Sequence, residues 1–370
     1  MGMRKGGHRL VGRGKDCGMG WRLVETVPNP WGQVPVSDGG RSVVAPVASY
    51  MARVREEASR RDCVSRRHHY VPQSYLRAWS PDGRRVRVLD TRNGTERLQG
   101  LRDTCVRENF YRLAESGEAH NQAEAMLAVI DDETARLLRT LHSWTPGDDF
   151  IFDDFMSLAV ILAFQRNRTP QVRRHLAAIN TWQRDRAAQA IRPLTADSHV
   201  TAMFDSVFHA ADEHSTRQLE LWDDPKGRFI TSDQPVQLSP EAGQDYSSTA
   251  TGSSLWWPIS PGRLAVLSSD LQGVKVVHRI VNRQTVDRVR RAVVRGAESV
   301  IITKPTDFDL PVGKRLGRRP QLQVDCSPVA PTERKCRIHF TWGHGTSTVD
   351  RACDPLCAMA STSSGTGTLR

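Results

Sequence analysis

Residues Asp153–Arg168 read DDFMSLAVILAFQRNR, and at their centre Leu158–Phe164 (LAVILAF) is apolar at every position. A helix without a polar face has to be surrounded by protein on all sides, so this stretch predicts the most buried helix of the chain. Pro170 then ends that helix or bends the chain into a following one from Gln171 to about Ala190. On the N-terminal side, Asn121–Leu141 predicts another helix, because Leu127, Ile130, Thr134, Leu137, Leu138 and Leu141 recur at helical spacing on one side. Further upstream, Arg84–Asp90 (RRVRVLD) alternates arginine and valine as a half-buried strand does. Asn93-Gly94 follows as a turn signal, and Thr95–Leu98 can return as the second strand of a hairpin.

Downstream, His199–Leu221 predicts a helix, and after Asp224-Pro225 the character changes. Arg228–Thr231 (RFIT) and Arg263–Leu267 (RLAVL) read as strands, joined by a Gly/Ser-rich loop and Trp256-Trp257-Pro258. Val286–Val294 reads as a helix and Val300–Thr303 as a last short strand. No internal repeat is evident. A hairpin, then helices, then mixed strands make an α+β protein: a central buried helical bundle, an N-terminal β-hairpin and a C-terminal mixed α/β part.

Three regions are expected. Residues 66–305 form a single globular domain. Residues 1–65 are an extension, disordered or outside the natural product; the first fifty are rich in Gly, Pro and Arg, and Met51 opens a more ordinary protein start, MARVREEASRR. Residues 306–370 have the low-complexity composition of a disordered tail. Charge follows the same division. Of 52 basic and 41 acidic residues, 13 and 6 lie in 1–67 and 9 and 6 in 306–370, leaving 30 and 29 between. The net charge of +11 therefore belongs to the ends, and the near-neutral core gives nucleic acid no general footprint, although a local basic patch stays open. The basic residues are 45 Arg and only 7 Lys, a bias that reports a GC-rich genome rather than a ligand.

Of seven cysteines only Cys105 lies in the core, which fits a reducing cytoplasm better than a disulfide scaffold. No stretch approaches the roughly 18 uncharged apolar residues of a membrane span, and no apolar run follows the basic N-terminus as in a signal peptide. Among the common catalytic signatures, a Gly-rich phosphate loop, a Walker-type lysine, a Gly-x-Ser-x-Gly elbow and a His-Glu-x-x-His pair are not found.

The sharpest local feature is His68-His69-Tyr70-Val71-Pro72-Gln73-Ser74-Tyr75-Leu76-Arg77. Three more follow: Gln165-Arg166-Asn167-Arg168-Thr169-Pro170, then Phe229-Ile230-Thr231-Ser232-Asp233-Gln234-Pro235-Val236, then Trp257-Pro258-Ile259-Ser260-Pro261. Together and in this order they resemble the bacterial family called domain of unknown function 4238, over about two thirds of the chain. Ser74 and Trp79 differ from the aromatic types the resemblance implies, and Asp131 stands where it implies a glutamate. The resemblance implies positions, not a reaction.

His68 and His69 are candidate catalytic residues, since an imidazole titrates near neutral pH and ligates metals. Their segment also resembles the first half of an HNH-type nuclease motif, without its downstream partners. The alternative is a pair on opposite sides of an extended segment, one of them hydrogen-bonded in the core. Gln165 and Arg168 share a helix face, and Arg168 is a candidate anion clamp or a partner for a core acid. Asp233, at a predicted strand end, is a candidate base or metal ligand, or else a turn aspartate. Glu124 and Asp131 lie about 10 Å apart along their helix, too far to clamp one ion alone, and a salt bridge to Arg168 is their plainer role. Cys336-x2-His339 and Cys353-x3-Cys357 match no zinc spacing well, and His209 and His214 do not share a helix face.

Two functions follow. One is a hydrolase, a metal-dependent nuclease or nucleotide-acting enzyme with His68, His69 and Asp233 catalytic, Gln165 and Arg168 on the substrate, and a divalent metal as the conceivable cofactor. The other is a non-catalytic binding or regulatory protein whose distinctive residues hold the fold. Convergence of His69, Gln165, Arg168 and Asp233 in one open pocket would favour the first; their sealing into satisfied networks would favour the second.

Overall fold

The computed structural model describes residues 44–61, 65–114, 120–185, 192–240, 253–268 and 276–307, and the backbone of 322–328, 335–342 and 345–352. The chain opens with α1 (Val44–Ser59), β1 (Arg67–His69), the single-turn α2 (Gln73–Leu76), β2 (Arg85–Asp90), β3 (Glu96–Gly100) and β4 (Val106–Glu108). Four long helices follow: α3 (Gln122–Ser143), α4 (Phe152–Asn167), α5 (Pro170–Arg184) and α6 (Ala196–Ser215). Then come β5 (Gln218–Asp223), β6 (Thr231–Ser232), β7 (Gln237–Pro240), β8 (Ser253–Ser260), β9 (Arg263–Ser268), β10 (Val277–Ile280), α7 (Arg283–Gly296) and β11 (Val300–Thr303). The last strands are β12 (Leu322–Pro328), β13 (Lys335–Trp342) and β14 (Gly345–Ala352). The protein is α+β.

α4 is the helix that its composition requires: every residue from Met156 to Gln165 is buried. It packs against α6 and α3, while α1 covers α3 and α6. α6 starts at a capping box, with Thr195 and Ser198 each accepting from the other's backbone N–H, and α7 starts where the Asn282 side chain accepts from Thr285 N–H. The β2–β3 hairpin forms as the alternation demands, with Val86 and Val88 buried and Gly94 at φ +75° in its turn. It is not free-standing. β2 also pairs with β11, giving a four-stranded sheet in the order β3-β2-β11-β6 that joins the two ends of the domain. A five-stranded sheet in the order β10-β5-β9-β8-β7 forms the other half, and β1 pairs with β4 alone.

Several expectations are corrected. The helix expected over His199–Leu221 stops at Ser215, and Gln218–Asp223 is a strand, because its backbone pairs with β9 on one side and β10 on the other. Trp256-Trp257-Pro258 lies inside β8, and of Arg228–Thr231 only Thr231 is in a strand. The helix expected to reach Ala190 is described as far as Arg184, and most of the Gly/Ser-rich loop lies outside the described residues.

The boundaries also move. α1 runs through Met51 and buries Val47, Tyr50, Met51, Val54 and Ala58, so part of the expected extension is core, and a chain begun at Met51 would lose half of that helix. The expected disordered tail carries an antiparallel three-stranded sheet, β12-β13-β14; polar and β-branched alternation such as Thr346–Val349 forms strands despite its low-complexity composition.

Candidate functional site

β1 is the hinge of the polar interior. His68 is fully buried, and its Nδ1 accepts from Tyr111 N–H at 2.9 Å, which leaves Nε2 to donate to Ser65 O at 2.9 Å. Its ring lies parallel to that of Tyr111, with centroids 5.8 Å apart. Burial holds its pKa below the ordinary value, so it is a neutral imidazole with both nitrogens occupied. Both ring nitrogens of His68, expected as a catalytic residue, are thus bonded within the fold. The next two residues present backbone carbonyls: His69 O accepts from Arg168 Nη2 at 2.5 Å and Tyr70 O from Gln165 Nε2 at 3.0 Å. The His69 ring is half-buried, burial lowers its pKa, and its Nε2 has no partner among the described residues.

Arg168, at the end of α4, forks onto the Asp131 carboxylate at 2.5 and 3.2 Å. Tyr111 donates its hydroxyl to Arg168 O at 2.6 Å, under the guanidinium. Arg168 is a clasp between α3, α4 and β1, not a clamp open to an anion. Gln165 is likewise taken up by the fold. Glu124, seven residues before Asp131, comes within 3.9 Å of His68 Nδ1, but its Oε2 has no hydrogen bond among the described residues. Burial pushes its carboxyl up to about 8.

Asp233 is sealed elsewhere. Its carboxylate accepts from the N–H groups of Glu298, Ser299 and Val300 and from the Ser299 hydroxyl, at 2.7–3.1 Å. It caps the turn into β11; burial pushes it up to about 6, against the pull of those four donors. Asp233, expected as a catalytic residue, thus has both carboxylate oxygens bonded within the fold. The structure brings His69, Gln165 and Arg168 together around β1 and gives Asp233 a separate set of partners.

The four signature segments are stitched to one another. Besides the β1 contacts, the Thr169 hydroxyl bonds to Gln234 Oε1, and Gln234 Nε2 donates to Arg166 O at 3.3 Å. Tyr75 donates its hydroxyl to Pro258 O at 2.5 Å and takes a bond from Thr231 Oγ1 at 2.6 Å. A family model described as a protein of unknown function, DUF4238, matches residues 67–307. The chain belongs to that family. No curated protein and no solved structure was found to match it. The matched span runs from β1 to just past β11, so the DUF4238 signature coincides with the stitched domain, and α1 and the β12–β14 sheet lie outside it.

An open cleft of about 590 Å³ lies at the edge of the five-stranded sheet, and none of the expected site residues lines it. Its floor follows from register: Ile280 pairs with Asp223, Asp223 with Arg263, and Arg263 with Ser260, so these four share one face across β10, β5, β9 and β8. Arg263 forks onto Asp223 at 2.6 and 2.7 Å, and His278 Nε2 meets the same carboxylate at 2.8 Å. Burial opposes the charge on Asp223, yet the bonds from Arg263 and His278 hold its carboxyl below the ordinary range. The remaining Arg263 nitrogen donates to the carbonyls of Leu141, His142 and Trp144, where α3 ends. His142 also lines the cleft; its Nε2 bonds to Ile259 O at 3.1 Å, and burial lowers its pKa.

Sequence reasoning missed Asp223, His278 and His142. They come from three separate elements, and the strand that carries Asp223 read as helix. Among the described residues no group of three His, Cys, Asp or Glu side chains is placed to hold a metal ion, so the expected divalent metal finds no donor set there. Cys336 and His339 lie on β13, and Cys353 and Cys357 lie outside the described residues. Among the described residues no helix is long and apolar enough to cross a membrane.

Proposed function

We propose that the chain is a non-catalytic binding protein that takes its ligand in the cleft between β10, β5 and the end of α3. What supports this is that the signature side chains His68, Gln165, Arg168 and Asp233 are each bonded into the interior, whereas the cleft is open and contains none of them. The cleft also lacks the parts of a hydrolase. Arg263 spends four of its five N–H groups on Asp223 and on the carbonyls at the end of α3, which leaves it one to offer a developing oxyanion, usually the largest catalytic contribution. Ser260 lies three strands from His278, about 14 Å at the usual strand spacing, too far to be activated by it.

The hydrolase is the second reading, moved from the signature residues to the cleft. One observation favours it: the 2.8 Å contact orients His278 on Asp223, leaving Nδ1 with no partner among the described residues, as in a general base for water. Hydrolysis of p-nitrophenyl acetate and bis(p-nitrophenyl) phosphate by the chain and by His278→Gln separates the two. The binding reading expects no difference between the proteins; turnover that disappears with His278→Gln overturns it.

A further inference from the structure

Among the described residues β10 is the outermost strand of its sheet and pairs only with β5. Just beyond it, Val281 N–H donates to Asp223 O at 2.9 Å. Backbone direction alternates along a strand, so Val277 and Arg279 also turn their amide groups toward β5, and His278 and Ile280 turn theirs outward. Among the described residues nothing bonds to those outward groups. The side chains of the same two residues line the cleft.

Open strand edges are normally blunted by proline, charge or a bulge. β10 (VHRI) is blunted only by its length of four residues: it has no proline or bulge, and its one fixed charge, Arg279, falls on the other face and is bonded to Glu220 at 2.7 Å. Ile280 instead stands 72 % exposed at the lip. Within the cleft the fixed charges are matched, Asp223 by Arg263 and Asp224 by Arg228, so a ligand without strong charge complements it. Donors and acceptors repeated at every second residue of an edge fit one kind of partner, a backbone in extended conformation.

We propose that the ligand is an extended polypeptide segment of a partner protein, added to β10 as a further strand. It pairs with the outward amide groups of His278 and Ile280 and lays an apolar side chain against Ile280. This rests on reading the cleft as a binding site.

The test selects displayed random peptides on the full chain, then titrates the enriched peptides by fluorescence anisotropy against the chain and its Ile280→Pro and Ile280→Lys variants. Proline at an edge position whose N–H faces outward leaves the β5 ladder intact, and matching thermal melts confirm that each variant folds. Affinity should fall at least about tenfold in both variants. N-methylation of the peptide at one alternate set of residues should abolish binding, and at the other set leave it unchanged. Peptides that need His278 but tolerate Ile280→Pro and both methylation sets would overturn strand addition while leaving the cleft reading standing. A selection that yields nothing above the Ile280→Pro background overturns strand addition as well.

Discussion

Two polar regions of this molecule use the same chemistry to opposite ends. Around β1, Arg168 and His68 are buried, Asp131 and the His69 ring are partly so, and the guanidinium of Arg168 ties Asp131 to a backbone carbonyl of the first signature segment. At the sheet edge, an arginine, a carboxylate and a histidine again meet, but Arg263 and Asp223 form the floor of an open cleft. Burial decides the difference. The two carboxylates are about equally exposed, Asp131 26 % and Asp223 24 %, but the Arg168 side chain is only 2 % exposed against 15 % for Arg263, and the more deeply buried charge is the costlier one to leave without its partner. A strong signature in sequence is then as much a mark of a folding constraint as of a reaction.

The largest loss of stability is expected at Arg168. Arg168→Met keeps most of the volume but strands the Asp131 carboxylate and the His69 carbonyl, and should cost about 3–5 kcal/mol in urea unfolding. Adding Asp131→Leu should recover much of that loss, since the uncompensated charge is gone. A single variant as stable as the parent would mean that the clasp holds nothing. Leu162→Ala, in the wholly buried turn of α4, should cost about 2–5 kcal/mol by leaving a cavity beneath α6. Urea midpoints indistinguishable from the parent's would remove α4 from the centre of the fold.

What was legible follows from range. Leu158–Phe164, the RRVRVLD alternation and Asn93-Gly94 state their structure locally, and α4 and the hairpin form where those residues put them. β5 failed because its backbone partners β9 and β10 are distant in sequence, and because it follows a helix whose pattern runs into it. The signature residues were legible as special but not in purpose: only the contacts show that Asp233 caps a turn 65 residues later in the chain. His278 and Asp223 had no local signal at all, since register across β5 and β10 creates their contact.

Glu124 sharpens the comparison through pH. Its carboxyl, pushed up to about 8 by burial, keeps in the folded state a proton that the unfolded chain has already lost. Stability from this group is therefore present at low pH and lost as pH rises toward 8, by up to about 1.4 kcal/mol per pH unit. Asp233 acts in the same direction but is finished by about pH 6, whereas the histidines whose pKa burial lowers add stability as pH rises through their unfolded value, so only the difference between the parent and a Glu124 variant isolates Glu124. Between about pH 6.5 and 8 the urea midpoint of the parent should fall relative to that of Glu124→Gln. Equal slopes in the two proteins would show that the carboxyl of Glu124 is not held neutral by the interior.

The smallest effect is expected at His278, and it sharpens the comparison most. His278→Ala removes one bond to Asp223, but the carboxylate keeps both bonds from Arg263, and each partner side chain retains roughly a quarter of its exposure. Water replaces the lost imidazole at such a position, so unfolding in urea should shift by less than about 1 kcal/mol. Ligand binding in the cleft should nonetheless be lost, because the imidazole lines it. Arg168→Met, compared under conditions where it is still folded, should show the reverse, with large loss of stability and unchanged binding. If His278→Ala instead cost as much stability as Arg168→Met, the cleft side chains would belong to the same folding network as β1, and the distinction between a sealed clasp and an open binding edge would fail.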